Sequence, residues 1–142
     1  MNNVLDSVRG VIRATGCRLD EALAIKVSDI EINGHGDMFV RIGFGMRVRV
    51  ALVLDPAVLK QLMELAEASG NTMLIDVAVK TFDCTSDRTY YVKRLYAMLT
   101  GNTHDAKVDM YDSHDDYAIT LVMRNMGEDY AENVIAMLDD ET

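Results

Sequence analysis

An arginine that opens a predicted helix is the residue of this sequence best suited to chemistry. Residues 14–21 read ATGCRLDE, in which the glycine ends one helix and a second helix begins at Arg18. Asp20 and Glu21 lie in the first turn, where the helix dipole favours negative charge, whereas Arg18 opposes that dipole. A residue placed against local preference is a good candidate for function. Arg18 is therefore either a functional residue or the partner of Asp20, Glu21 or a C-terminal acid.

Other cations lie on a predicted strand and on a later helix. Arg41, Arg47 and Arg49 recur in a segment of alternating residues, a pattern typical of any strand with one face in solvent. They are also the best nucleic-acid patch in the sequence, and Lys93 and Arg94 form a second candidate. Both groups are candidates for binding DNA phosphates.

Acidic residues and one histidine are concentrated after residue 105. Hard metal ions prefer such oxygen and imidazole ligands, and the residues concerned are Asp109, Asp112, His114, Asp115 and Asp116. Their spacing fits no EF-hand or histidine–carboxylate motif, so we expect a solvated acidic loop, no metal site and no cofactor. Cys17 and Cys84 form no metal or redox motif and are predicted to be reduced thiols in a cytosol. Cys17, next to Arg18, has either a lowered thiol pKa or a buried, inert side chain.

The periodicity predicts helices around a small sheet. Helices are expected over residues 2–15, 18–27, from Pro56 onward, 88–100, 114–125 and 129–138. Three antiparallel strands are expected within about residues 30–54, because β-branched and alternating runs are separated by Gly-rich turns. The expected helix caps are Thr85, Ser86 or Asp87 for residues 88–100 and Asp112 or Ser113 for residues 114–125. Tyr91, Leu95, Met98 and Leu99 are expected to face inward.

The composition is that of one globular domain, but the charge is uneven. The chain has 142 residues, 49% of them hydrophobic, and a net charge of −9. Residues 1–100 contain 12 basic and 12 acidic residues, whereas residues 101–142 contain 2 and 11. A net negative charge argues against simple nucleic-acid binding, although one end carries all of it. No apolar run approaches the ~20 residues of a membrane span, and no signal peptide is apparent.

Residues 14–30, ATGCRLDEALAIKVSDI, resemble a known signature. The tyrosine recombinases, or phage integrases, carry ATGxRxxExLxLxxxDI around their first catalytic arginine. The resemblance extends over nearly the whole chain and implies a mostly helical α+β catalytic-domain-like fold with a three-stranded antiparallel sheet. In that family two arginines, a lysine of the sheet and two His or Trp-type residues surround the scissile phosphate, which a tyrosine attacks. Arg18 matches the first arginine.

The remaining catalytic positions depart from the family pattern. Phe44 stands between Gly43 and Gly45, where the family has its lysine. The family's HxxR motif aligns best with residues 114–117, so His114 is retained and Tyr117 replaces the second arginine. The chain ends before the helix expected to carry the nucleophile, and the N-terminal clamp domain is also expected to be absent. The resemblance thus implies a single integrase-like domain that does not catalyse strand cleavage.

Two functional hypotheses follow. The first is a non-catalytic DNA-binding or regulatory protein of a phage or plasmid, acting in the cytoplasm as a dimer. The second is an acidic module that binds a recombinase or another basic protein, or a second copy of itself, without touching DNA. Its candidate contacts are Asp115, Asp116, Tyr130, Asp139 and Asp140.

Overall fold

The computed structural model describes residues 4–76, 81–101 and 115–140. Its helices are α1 Val4–Thr15, α2 Leu19–Ala22, α3 Pro56–Ser69, α4 Thr85–Thr100, α5 Asp116–Met126 and α6 Ala131–Leu138. Its strands are β1 Ile30–Ile32, β2 Met38–Ile42 and β3 Arg49–Leu52, and short 3-10 turns cover Val27–Asp29 and Gly45–Arg47. This architecture confirms the predicted mostly helical α+β fold.

The three strands form one antiparallel sheet in the order β1-β2-β3. Met38, Val40 and Ile42 of β2 are buried, and Arg41 between them is exposed, as expected for a sheet with one face on the core. Arg41 pairs with Val50, while Ile42 pairs with Arg49. Because side chains alternate along a strand, Arg41 and Arg49 lie on opposite faces of the sheet.

Two groups of buried side chains make up the core. The first joins α1, the core face of the sheet and α3, and its fully buried members include Ile12, Val40 and Leu59. The second joins α4, α5 and α6 and is centred on Tyr91 and Val122. None of the described helices is long and apolar enough to cross a membrane.

Gly16, just after α1, lies where the two groups meet. Its φ is +75°, and a Cβ built on it would lie 2.4 Å from Cδ2 of Tyr91 and 2.5 Å from Sδ of Met126. Both distances are far below van der Waals contact, so no larger residue fits here. The glycine therefore allows the chain to pass directly over the α4–α5 core and sets the position of the residues that follow.

The helix that begins after Arg18 is much shorter than predicted. It ends at Ala22 rather than near residue 27, because the next backbone groups bond elsewhere. The Val27 N–H donates to the Thr72 carbonyl at 2.9 Å, and the Ile25 carbonyl accepts from the Leu74 N–H at 2.9 Å. Pairing with a distant segment replaces the helical hydrogen bonds, a tertiary effect that the periodicity did not reveal.

The predicted starts of α4 and α5 were also wrong. Helix α4 begins at Thr85, and Asp87 is a fully buried partner of two arginines rather than a cap. Helix α5 is capped by Asp115, whose carboxylate accepts from the Ala118 N–H at 3.1 Å. Met98 and Leu99, expected inside, are 53% and 37% exposed. These differences move the ends of the helices but not their order.

We expect Gly16→Ala to destabilise the protein on the order of 3 kcal/mol, because it adds a clash in the core to a left-handed backbone. Gly70→Ala is the matched control: its φ is +71° and nothing lies within 4 Å of a built Cβ. At Gly70 only the cost of placing alanine in a left-handed backbone applies, which is about 1 kcal/mol. Urea unfolding of both variants measures the difference, and equal losses would contradict the close packing at Gly16.

Candidate nucleic-acid interface

Arg18 lies in the turn between Gly16 and α2. Its backbone N–H donates to Oε1 of Glu21 at 2.8 Å, and its guanidinium Nη1 lies 3.4 Å from Oε2 of the same carboxylate. The Arg18 side chain is nevertheless 44% exposed. Arg18 therefore forms an ion pair with Glu21, one of the partners that the sequence allowed, and its side chain remains partly exposed to solvent.

Glu21 is the anchor of the turn that carries Arg18. It is 4% exposed, and Arg49 binds it through two hydrogen bonds, Nη1–Oε2 at 2.9 Å and Nη2–Oε1 at 3.0 Å. Arg49 is itself only 10% exposed, and its Nε donates to the Asn125 carbonyl at 2.8 Å. Such a two-pronged pair is the strongest geometry for these groups, and it ties α2 to β3 and α5.

The environment of Glu21 favours its charged form. Burial alone would raise the pKa of this carboxyl group. The hydrogen bonds from the Arg49 guanidinium and the Arg18 backbone outweigh burial, so the pKa lies below its ordinary value of 4.5. Glu21 is therefore ionised at neutral pH and neutralises one of the arginines around it.

Arg88, in the first turn of α4, lies beside the same turn. Its Nε donates to the Gly16 carbonyl at 3.0 Å, and its Nη2 lies 3.6 Å from Oε2 of Glu128. Burial and then the nearby charge of Arg18 lower the pKa of Arg88 below its ordinary value, while Glu128 acts in the opposite direction. An arginine remains protonated in proteins regardless, so Arg88 places a second cation against the backbone of the turn that leads into Arg18.

We call Arg18, Arg49 and Arg88 the arginine cluster. It carries three positive charges against the two carboxylates of Glu21 and Glu128, and the Asp20 carboxylate lies in the same turn, where its Oδ1 accepts from the Glu21 N–H. Arg18 is the exposed member of the cluster. The chemistry that this arrangement offers is the binding of an anion. Among the described residues, its hydrogen-bond and ion-pair partners are Glu21, Asn125, Gly16 and Glu128, so no tyrosine hydroxyl is among these partners.

Two nucleophilic side chains near the arginine cluster, Cys17 and Tyr91, are buried. Cys17 is fully buried, and burial raises the pKa of its thiol to about 12. Tyr91 is fully buried as well; its hydroxyl donates to the Leu52 carbonyl at 2.6 Å, and burial raises its pKa. Of the two interpretations of Cys17, the structure therefore supports the buried and inert thiol.

The three arginines expected to share one surface are separated in the structure. Arg49 is buried in its pair with Glu21. Arg41 is on the opposite face of the sheet, where it lines an open pocket together with the acidic residues Asp29 and Glu31. Arg47 lies in the turn before β3, 75% exposed and 3.6 Å from Asp129. Strand alternation and the 3-10 turn at residues 45–47 cause the separation, so the predicted three-arginine face does not form.

Lys93 and Arg94 point in different directions from α4. The Lys93 ammonium donates to the carbonyl of Asp140 beyond α6. The Arg94 guanidinium lies 5.4 Å from the ring of Tyr90, on which Arg13 of α1 also stacks at 5.3 Å. The second basic candidate is thus two separate contacts rather than one patch.

The residues proposed to bind a partner have varied settings. Asp115 caps α5, and Asp116 is its first helical residue. Tyr130 is 64% exposed at the start of α6, and Asp139 and Asp140 follow that helix, each with an interaction of its own. His114 lies outside the described residues, as does most of the acidic segment 105–116.

Arg88 is an arginine of this site that the sequence analysis did not single out. The alignment placed Tyr117 at the position of the family's second arginine, and Tyr117 is 74% exposed on α5. One signal could have identified Arg88: it was expected to open a helix, just as Arg18 does, and the same conflict with the helix dipole applies. No comparable signal pointed to Glu128.

Known structures share this fold. A crystal structure of the XerH site-specific recombinase bound to difH substrate, before cleavage, has a TM-score of 0.62 at 16% identity, and the match covers 99% of this chain and 45% of XerH. The post-cleavage complex on a palindromic difH substrate gives 0.63 at 15%, covering 100% and 44%. XerA recombinase gives 0.65 at 12%, covering 96% and 53%.

These likenesses show the fold, which is that of a tyrosine-recombinase catalytic domain. The chain spans about half the length of the recombinases that it matches. No protein-family model matches the sequence, and no curated protein is significantly similar to it.

We expect Glu21→Gln to lower the free energy of unfolding at pH 7 by about 3–5 kcal/mol, because it leaves the buried Arg49 without its carboxylate. Glu21 has a lowered pKa, so its contribution is complete above its ordinary value of 4.5 and is lost as pH falls through the folded-state value. The difference between wild type and variant should therefore shrink below about pH 4.5. Chemical unfolding from pH 3 to 7 measures it, with the exposed Glu31→Gln as control; parallel pH profiles would contradict the assignment.

Alkylation should distinguish the two cysteines. Cys17 is buried with a pKa of about 12, whereas Cys84 is partly exposed, and only the thiolate reacts. We expect iodoacetamide at pH 8 to modify Cys84 alone in the folded protein and both cysteines after denaturation. Peptide mass spectrometry reads the sites, and equal rates at the two thiols would rule out a sealed Cys17.

Proposed function

We propose that this protein is a non-catalytic, integrase-like DNA-binding or regulatory protein of a phage, plasmid or similar mobile element. Its contact with duplex DNA would be a phosphate held at Arg18, with Arg88 beside it. The single observation that carries the proposal is that Arg88 donates to the Gly16 carbonyl in the turn that leads into the exposed Arg18. The fold is shared with XerH, whose crystal structure is bound to difH substrate. The protein would act in the cytoplasm of a bacterial host.

Phosphate binding suits the chemistry of this turn. Arg18 is the exposed member of the arginine cluster. Planar guanidinium groups match phosphate oxygens in geometry, and contacts with phosphates supply most of the sequence-independent affinity for DNA. Arg47, 75% exposed in the turn before β3, is a further candidate for the same backbone.

The absence of catalysis is supported by what surrounds the cluster. Phosphoryl transfer through a covalent intermediate needs an accessible nucleophile with a proton acceptor, but the Tyr91 hydroxyl is buried and donates to a backbone carbonyl. Phe44, where the resemblance implies a lysine, is an apolar side chain 54% exposed. A carboxylate, Glu128, rather than a proton donor, faces Arg88.

The acidic end supports a second candidate, a module that binds a basic protein or another copy of this chain. Residues 101–142 contain 11 acidic and 2 basic residues, and Tyr117 and Tyr130 are exposed aromatic side chains beside that charge. This candidate excludes DNA binding, so the same binding experiment separates the two functions.

We expect Arg18→Ala to weaken binding to a 20-base-pair duplex about tenfold and to reduce the slope of log K against log salt by about 0.9, because one phosphate contact is lost. The matched control is Arg41→Ala, an exposed arginine on the opposite face of the sheet, for which we expect less than a twofold change. Fluorescence anisotropy between 25 and 200 mM salt provides both values. Undetectable binding of the wild type at low salt would overturn the proposal.

A suicide-substrate assay tests the absence of catalysis. We expect no covalent protein–DNA adduct on a nicked duplex after denaturing electrophoresis, since no tyrosine hydroxyl is a hydrogen-bond partner of the arginine cluster in the described residues. An adduct that disappears on substitution of Tyr117 or Tyr130 by Phe would show an active enzyme.

A further inference from the structure

One buried nitrogen of the Arg88 guanidinium has no hydrogen-bond partner among the described residues. Its Nη2 is buried and has no hydrogen-bond partner in the described residues, while its Nε is fixed on the Gly16 carbonyl. The carboxylate of Glu128 lies 3.6 Å from that nitrogen, too far for a hydrogen bond. A buried charged donor normally has an acceptor in contact, so Arg88 has an opposing charge without the full set of bonds.

Two hydrogen bonds fix the position of Glu128 beside Arg88. Its Oε1 accepts from the Asn133 side chain at 3.0 Å, which leaves Oε2 toward Arg88. The Glu128 backbone N–H donates to the Met123 carbonyl at 3.0 Å, just after the left-handed Gly127 that ends α5. The Arg88 and Glu128 side chains are 12% and 13% exposed, so both are largely withdrawn from solvent.

A carboxylate in this position resembles, in charge and oxygen geometry, the anion that two guanidinium groups would bind. Arg18 is exposed, whereas Arg88 is largely buried. An oxyanion that bound the Arg88 Nη2 would compete with the Glu128 carboxylate, which lies 3.6 Å from that nitrogen. Because that anion makes shorter, charge-assisted bonds than the present 3.6 Å contact, the exchange would also satisfy Arg88.

We propose that Glu128 is an internal competitor for an oxyanion site formed by Arg18 and Arg88, and that a phosphate group binds both arginines only after this carboxylate moves away. The inference rests on the proposed function for its ligand, a DNA phosphodiester, but the anion site itself is testable without DNA. Glu128 thereby sets how tightly the protein holds phosphate.

The first test uses sulfate and thermal unfolding. In Glu128→Ala the competing carboxylate is gone, so sulfate should stabilise the protein by about 3–5 °C more than it stabilises the wild type at equal ionic strength, the effect of a ligand at roughly ten times its Kd. The control Glu132→Ala removes an exposed acid from α6 and should behave as the wild type. Glu128→Ala/Arg88→Ala should lose the extra stabilisation. Equal sulfate responses in all four proteins would overturn the proposal, since Glu128 would then be only a structural partner of Arg88.

The second test uses DNA and separates this inference from the proposed function. Glu128→Gln should bind the 20-base-pair duplex about tenfold more tightly than the wild type, with a salt slope steeper by about 0.9, and Glu132→Gln should change affinity less than twofold. Tighter binding that requires Arg88 supports the competitor role. DNA binding that depends on Arg18 but is unchanged in Glu128→Gln would overturn this inference and leave the proposed function intact. If sulfate stabilises Glu128→Ala more than the wild type but no variant binds DNA, this inference is supported and the proposed function is overturned.

Should the Glu128 variants fail to fold, the wild type still provides a reading. The Nε–Hε resonance of Arg88, assigned with Arg88→Lys, reports on the guanidinium that sulfate would reach. A saturable shift on titration with sulfate, absent with chloride, supports an exchangeable site, and an unchanged resonance up to 200 mM contradicts it.

Discussion

The buried pair between Glu21 and Arg49 is the contact on which the candidate site depends. It joins the turn before α2 to β3, and through the Arg49 Nε it reaches the end of α5 at Asn125. The Asn125 side chain in turn accepts from the Leu52 N–H at 2.7 Å, so the sheet and α5 are joined twice. These polar bonds lie where the two groups of buried apolar side chains meet, beside the close packing of Gly16 on Tyr91 and Met126.

This arrangement explains why only part of the positive charge is available. Arg49 is buried in its ion pair with Glu21, Arg88 is largely buried beside Glu128, and Arg18 is exposed to solvent. Buried ion pairs contribute little to stability compared with apolar packing, but removing one partner is costly. Replacing either of the acids that pair with these arginines would therefore leave a largely buried guanidinium without its partner.

Local sequence predicted the architecture well and the site only in part. The Gly16 break, the Arg18 turn and the three antiparallel strands follow from turn chemistry and alternation, which act over a few residues. The length of the helix after Arg18 did not follow, because the segment at residues 72–74 takes its hydrogen bonds. Arg41 and Arg49 do not share the expected face of the sheet. Arg49 pairs with Ile42, the strand neighbour of Arg41, and neighbouring residues of a strand point to opposite faces.

The sequence by itself determined that Arg18 opens a helix after a glycine and that the net negative charge lies at one end of the chain. These are properties of local backbone preference and of composition, so they need no knowledge of the fold. Only the tertiary structure decided that Arg88 and Glu128 stand at the same turn, 72 and 112 residues beyond Gly16 in the chain. Contacts between such distant residues depend on how the two apolar cores pack together, and no local pattern encodes that packing.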